Sequence, residues 1–205
     1  LGTIFRAGPG VDASREGQRV VIEPNIPCNI CPECRSGRGN ICRNKRIIGV
    51  TENGCFAEYV KVPAGVAHPL PVTITDRDAV AIEPAAVALA ALFRSKARPG
   101  DPILVIGLGA IGMLVTHIAT ALGYRVFVTE PVEHKLEKAL EMGAFAMDHH
   151  ATSCLDEGIG TLFECAGAEN TATLAIESCP RGGEVILLGL SDKPAVFNPM
   201  DLTKK

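Results

Sequence analysis

Cys28, Cys31, Cys34 and Cys42 stand in a C-x2-C-x2-C-x7-C run. The spacing gathers four soft thiolates on one short, Pro- and Gly-interrupted loop that can close around a single ion. Four such ligands suit tetrahedral Zn²⁺, and a site filled by four protein thiolates keeps no open position for chemistry. Its expected role is structural. The other cysteines, Cys55, Cys154, Cys165 and Cys179, show no paired spacing, and Cys165 and Cys179 fall in or beside apolar segments. There a reduced thiol packs as a small hydrophobe. A disulfide framework is the competing reading, but it suits small secreted scaffolds better than a core-rich chain of 205 residues. Zinc is preferred, with a cytoplasmic location.

Gly107, Leu108, Gly109, Ala110, Ile111 and Gly112 form a G-x-G-x-x-G directly after an apolar run and ahead of a helical pattern. That is the context a dinucleotide-binding turn requires. Gly107 permits the tight turn, Gly109 lets the backbone approach a pyrophosphate, and Gly112 lets the helix press on the strand. The helix N-terminus then offers free N–H groups and a positive dipole to phosphate. A glycine-rich packing turn is the plainer alternative. Glu130 follows Gly112 by eighteen residues, near the distance at which an acidic side chain meets the adenosine ribose. A carboxylate there accepts from both ribose hydroxyls and repels the 2′-phosphate of NADP, which favours NAD; an ordinary surface Glu is the other reading. Lys135 can reach the same ribose or be an exposed helix lysine.

Glu83 precedes Pro84, which pushes it out of helical geometry and into a turn. There it either caps the following helix through the dipole or projects into a cleft toward a metal; the residues alone favour the cap. His68, His117 and His134 lie on loop or helix stretches. His149 and His150 form an adjacent pair at a strand end, which could bind a metal but reads first as a solvated loop.

These residues need elements to hold them. Residues 1–75 read as β, with strands expected at 2–5, 19–23 and 56–62 between turn-rich stretches. Residues 76–97 are Ala-rich and predict two short helices or one broken one. From 98 to 205 strand and helix patterns alternate. Strands are expected at 102–107, 125–130, 144–147, 161–165 and 184–190, and helices at 110–122, 132–142 and about 169–178. Wholly apolar strands alternating with helices mean a doubly wound parallel α/β sheet. The formal charge of -3 supplies no basic patch for nucleic acid or an acidic membrane surface. No apolar run is long enough to span a bilayer.

The cysteine loop, the glycine turn and their order resemble the zinc-dependent medium-chain alcohol dehydrogenases. The likeness runs through GQRVVIEPNIPC (17–28), CPECRSGRGNIC (31–42), GCFAEYVKVPA (54–64), RPGDPILVIGLGAIG (98–112), FECAG (163–167) and RGGEVILLGL (181–190). IEPAAVAL around Glu83 and the VTE ending at Glu130 are similar to the polyol and sugar branch, which includes sorbitol, butanediol, threonine and sugar-acid enzymes. The resemblance implies a GroES-like β catalytic domain with a zinc lobe, followed by a Rossmann domain. It implies oxidation of a secondary alcohol by NAD, a second, catalytic zinc, and a homodimer or homotetramer. It implies that the backbone near Cys165, Ala166, Gly167, Leu188, Gly189 and Leu190 lines the nicotinamide, and it raises Glu83 from cap to the catalytic zinc site. It also implies a chain truncated at both ends, with a cysteine ligand and a G-H-E segment upstream of Leu1. The twelve residues from 149 to 160 are short for the family's crossover. A catalytically inactive NAD-binding module and a zinc-lobe interaction protein are the rival readings.

Overall fold

The computed structural model describes residues 1–148, 154 and 156–203; His149, His150 and most of the short stretch that follows lie outside the described residues. Two compact units divide the chain, Leu1–Glu83 and Pro84–Lys205.

In the first unit β1 (Gly2–Thr3), β2 (Arg19–Ile22) and β5 (Ala67–Pro69) make a three-stranded antiparallel sheet. β3 (Asn25–Ile26) pairs with β4 (Arg46–Ile47), also antiparallel. The cysteine run leaves from β3 and returns to β4, carrying the single-turn α1 (Pro32–Arg35) between. This ladder closes the excursion and fixes where the lobe begins and ends. Residues 56–62, expected as a strand, have no regular structure. Their apolar–polar alternation has no sheet face to serve: Phe56 and Tyr59 stand exposed, although Tyr59 packs its ring on Phe5 at 5.1 Å. Two helices follow, α2 (Asp76–Ala79), capped by the Thr75 hydroxyl, and α3 (Ile82–Arg94).

The second unit holds five parallel strands in the order β10-β9-β6-β7-β8. They are β6 (Pro102–Ile106), β7 (Arg125–Thr129), β8 (Phe145–Ala146), β9 (Thr161–Glu164) and β10 (Glu184–Leu187). Its helices are α4 (Ala110–Ala121), α5 (Glu133–Glu141), α6 (Thr171–Ser178) and the short α7 (Pro199–Thr203). Side chains along β6 alternate between two cores. Ile103 and Val105 pack with Val115 and Ala119 of α4, Ala139 of α5 and Leu92 of α3. Leu104 and Ile106 pack with Phe127, Leu162 and Ala175 of α6. Burial on both faces explains the unbroken apolar run, each such side chain stabilising by about 1.5–3 kcal/mol.

Strand order matters for function. The chain builds outward from β6 through β7 to β8, then crosses to the other side of β6 for β9 and β10. The direction therefore reverses between β6 and β9. In open α/β sheets the crevice outside the carboxyl ends of the strands at such a point is where ligands bind.

Candidate functional site

Two places gather the chemistry-bearing residues. In the lobe, the sulfurs of Cys28, Cys31, Cys34 and Cys42 all lie within 4.8 Å of one another. Cys31 is 3.4 Å from Cys34 and 3.8 Å from Cys42, and Cys28 is 3.9 Å from Cys34. A disulfide needs about 2.05 Å between sulfurs, whereas tetrahedral ligands at about 2.3 Å from zinc stand about 3.8 Å apart. The spacing fits an ion and excludes a bond. Backbone N–H groups of Ile30 and then Cys31 hold the Cys28 thiol down to about 6, while burial first, and then the neighbouring Cys31 and Cys42 sulfurs, push the Cys34 thiol up to about 12, so the four sulfurs share charge unequally without a cation between them. Behind the cluster, Arg43 grips Glu33 Oε1 through Nε at 2.9 Å and Nη2 at 2.8 Å. That pair spans the lobe from α1 to the residue after Cys42. The Glu33 carboxyl is held at about 2, first by its own backbone N–H and then by Arg43. Among the described residues, these cysteines are the one group of three or more metal-binding side chains so placed.

The second place is the C-terminal edge of the parallel sheet. Gly107 leaves β6 with φ +88°, and a Cβ there would stand 2.6 Å from the Ala166 Cβ. The turns after β6 and β9 therefore meet at the reversal point, and only glycine fits between them. A Cβ at Gly112 would collide with the Gly107 carbonyl oxygen, so the α4 turn closes on the strand end as expected. Gly109 differs: a Cβ there meets nothing within 4 Å, and as N-cap it offers no side-chain hydrogen bond. The N-cap therefore supplies no side-chain acceptor to the first N–H groups of α4, and the space beside it is open. Ala110 is exposed, Ile111 packs on the core, and Leu108 is buried in it.

Glu130, just past β7, is 6% exposed. Its Oε2 accepts from the Leu108 N–H at 2.6 Å and its Oε1 from the Val132 N–H at 3.1 Å, with Lys135 Nζ 4.0 Å from Oε1. The carboxylate thereby ties the glycine turn to the end of β7 and brings Lys135 alongside. Cys165 is buried, and burial first, then the charge of Glu164, pushes its thiol up to about 12. Gly167 packs on the backbone of Leu190, and Gly189 on the backbone of Gly167. The structure thus brings the segments 165–167 and 188–190 into direct contact.

Sequence reasoning passed over Glu164. It closes β9 at 2% exposure and its Oε1 receives the N–H groups of Ala166 and Gly167 and the Thr171 hydroxyl, at 2.9, 2.8 and 2.8 Å. The signal was present in TLFEC, a charge inside an otherwise apolar run. Glu83 lies in the first turn of α3, not in a turn ahead of it. The first four N–H groups of a helix lack intrahelical partners, so Pro84 loses nothing in that position, and the pre-proline preference yields. Glu83 is exposed and lines a broad cavity of about 1260 Å³ in the first unit with Phe5, Val20, Ile22, Tyr59 and Val60. Cys55 and Glu58 line the same cavity, but among the described residues no group of three or more metal-binding side chains forms around Glu83.

Comparison with known proteins separates the same two regions. Residues 1–72 match the alcohol dehydrogenase GroES-like domain and residues 110–205 the zinc-binding dehydrogenase domain. The chain is 30% identical to sorbitol dehydrogenase of Bacillus subtilis, over 92% of this chain and 57% of that protein. It superposes on the short chain alcohol dehydrogenase RspB of E. coli CFT073, crystallised with NADH, with a TM-score of 0.84 and 30% identity, covering 99% of this chain and 63% of that one. A zinc-binding dehydrogenase of Sinorhizobium meliloti 1021 bound to NADP gives a TM-score of 0.85 and 31% identity, covering 99% and 64%. The chain spans about three fifths of the length of these proteins.

Proposed function

We propose that this chain, a member of the zinc-dependent medium-chain alcohol dehydrogenases, falls in their polyol and sugar branch and serves NAD-linked oxidation of a secondary alcohol. The observation that carries the reading is convergence. The glycine turn, Glu130 and the joined segments 165–167 and 188–190 all sit at the carboxyl edge of the sheet, around the point where strand order reverses.

When bound, NAD accepts a hydride from the carbon bearing the hydroxyl, leaving ketone, NADH and a proton. The chain's own residues hold and orient it. Gly109 leaves room for the pyrophosphate, and the free N–H groups at the start of α4, from Ala110, Ile111 and Gly112, face it with the positive end of the helix dipole. Glu130 takes the ribose hydroxyls, its orientation preset by the Leu108 N–H, with Lys135 beside it. The same carboxylate disfavours a 2′-phosphate, so NAD is chosen over NADP. Residues 165–167 and 188–190 line the nicotinamide.

The four-cysteine lobe holds a structural zinc, which cross-links the excursion between β3 and β4 and leaves no position for substrate. Glu83 is assigned as ligand or tuning group of a catalytic zinc. A single carboxylate does not hold a zinc ion by itself. The substrate is a polyol, sugar, sugar acid, diol or amino alcohol, and residues 76–97 link catalytic and cofactor domains. The chain works in the cytoplasm as a homodimer or homotetramer, and the sulfur spacing of the lobe, set for an ion and not for a disulfide, agrees with a reducing compartment. Within the described residues no helix is long and apolar enough to cross a membrane.

The test is nucleotide binding followed by fluorescence. NADH should bind the full chain, NADPH more weakly. Glu130→Ala should erode that preference roughly ten- to hundredfold, the worth of a charge-assisted hydrogen bond. An unchanged preference would remove Glu130 from the ribose, and no binding of either nucleotide would remove the cofactor.

A further inference from the structure

A buried carboxylate is costly unless it is well partnered, and Glu164 is partnered in an unusual way. Three donors converge on its Oε1, the N–H groups of Ala166 and Gly167 and the Thr171 hydroxyl. This crowding of donors is the pattern of a charged acceptor. Every one of those donors is neutral, and among the described residues no Lys, Arg or His pairs with it. The main chain of the same residue grips the neighbouring segment, its carbonyl accepting from the N–H groups of Leu188 at 2.8 Å and Gly189 at 2.9 Å. A Cβ at Gly189 would fall 2.5 Å from Glu164 Oε2, so the backbone of that segment rests on the carboxylate. Gly167 takes φ +59° and a Cβ there would stand 2.5 Å from the Leu190 oxygen. One residue therefore sets the spacing of both segments, and its negative charge, hydrogen-bonded but paired with no cation among the described residues, lies against them.

We propose that Glu164 is a positioning residue for the nicotinamide end of the cofactor, and that its buried negative charge favours the oxidised, cationic ring over the neutral reduced one. The proposal rests on the NAD reading above. Oxidised nicotinamide carries one more positive charge than reduced, and a charge out of water acts over several ångströms with little screening. The side chain would act through the two segments for position and through space for redox preference.

Glu164→Gln separates the two effects, because the amide keeps the shape and an acceptor oxygen while losing the charge. Dissociation constants for NAD⁺ and NADH are measured on the full chain. In the Gln variant NAD⁺ should weaken about tenfold while NADH stays within about twofold. Glu164→Asp, which keeps the charge but shortens the reach, should weaken both alike and leave their ratio as in the wild type. An unchanged ratio in the Gln variant, or a ratio in the Asp variant that moves as far as in the Gln variant, overturns the proposal. Should the Gln variant fail to fold, Thr171→Val serves. It strips one donor and leaves the charge less compensated, so the ratio should move two- to threefold toward NAD⁺; no movement, or the reverse, overturns it. A wild-type chain that binds neither nucleotide sinks the cofactor reading, and this proposal with it, whereas binding without the ratio effect sinks the proposal alone.

Discussion

The cysteine lobe and the carboxyl edge of the parallel sheet are built on opposite plans. All four ligands of the lobe come from residues 28 to 42, and their sulfurs already stand at the spacing of a tetrahedron. The site is completed by its own side chains. At the sheet edge the contributions are spread from residue 107 to residue 190, most are backbone groups, and the space before Gly109 is open. One place spends side chains to exclude everything but an ion. The other withholds side chains so that a large ligand can lie against the main chain. The difference teaches that metal retention and nucleotide binding are separable properties of this chain.

The hardest blow to that separation is removal of a thiolate. Cys42→Ser should reduce bound zinc from about one per chain to almost none, since a structural site is closed by four protein ligands and a neutral hydroxyl does not replace a thiolate. Metal analysis reads that loss. NADH affinity measured on the same sample should change less than threefold, and a parallel loss of nucleotide binding would mean the two regions are coupled. Next comes the glycine pair, which sharpens the contrast within the sheet edge. Gly112→Ala should cost about 1–3 kcal/mol of stability and abolish NADH binding, because its Cβ meets the Gly107 carbonyl. Gly109→Ala should leave the melting temperature nearly unmoved while weakening NADH about tenfold, because its Cβ meets only the space meant for the ligand. Equal melting shifts for the two variants would contradict that division of labour.

The smallest effect is read in thiol chemistry. Cys165 is pushed up to about 12 and Cys154 to about 11, in both cases chiefly by burial. A raised pKa keeps the neutral thiol at pH 8, so both should resist alkylation until the fold opens, while exposed Cys55 reacts promptly. Peptide mass spectrometry over a time course distinguishes them. Cys165 reacting as fast as Cys55 would show that the sheet edge is not closed around it.

The parallel half was legible because strands buried on both faces read as unbroken apolar runs. β6, β7 and β9 lie within one residue of their expected ends. The first unit was less so. FAEYVKV carries a strand pattern, yet a strand exists only where a neighbour accepts its hydrogen bonds, and residues 56–62 have none to form a ladder with among the described residues. β3 and β4, two residues each, are too short for any periodicity and are held by pairing rather than propensity. At the sites, the cysteine spacing and the glycine turn were local patterns and could be read directly. Glu164 escaped because its importance lies in what folds onto it, Ala166, Gly167 and Gly189, which no local spacing announces.

Strand order also bears on the history of each molecule as it folds. The zinc ligands are separated by at most fourteen residues, a loop that closes quickly and at small entropic cost. The central contact of the sheet joins Ile103 to Thr161 across 58 residues, and parallel pairing across such a distance is intrinsically slow. A chain emerging from synthesis is thus equipped to capture its metal long before β9 can slide in beside β6. Nucleotide recognition becomes the signature of an assembled sheet, while bound zinc certifies only the segment from Cys28 to Cys42.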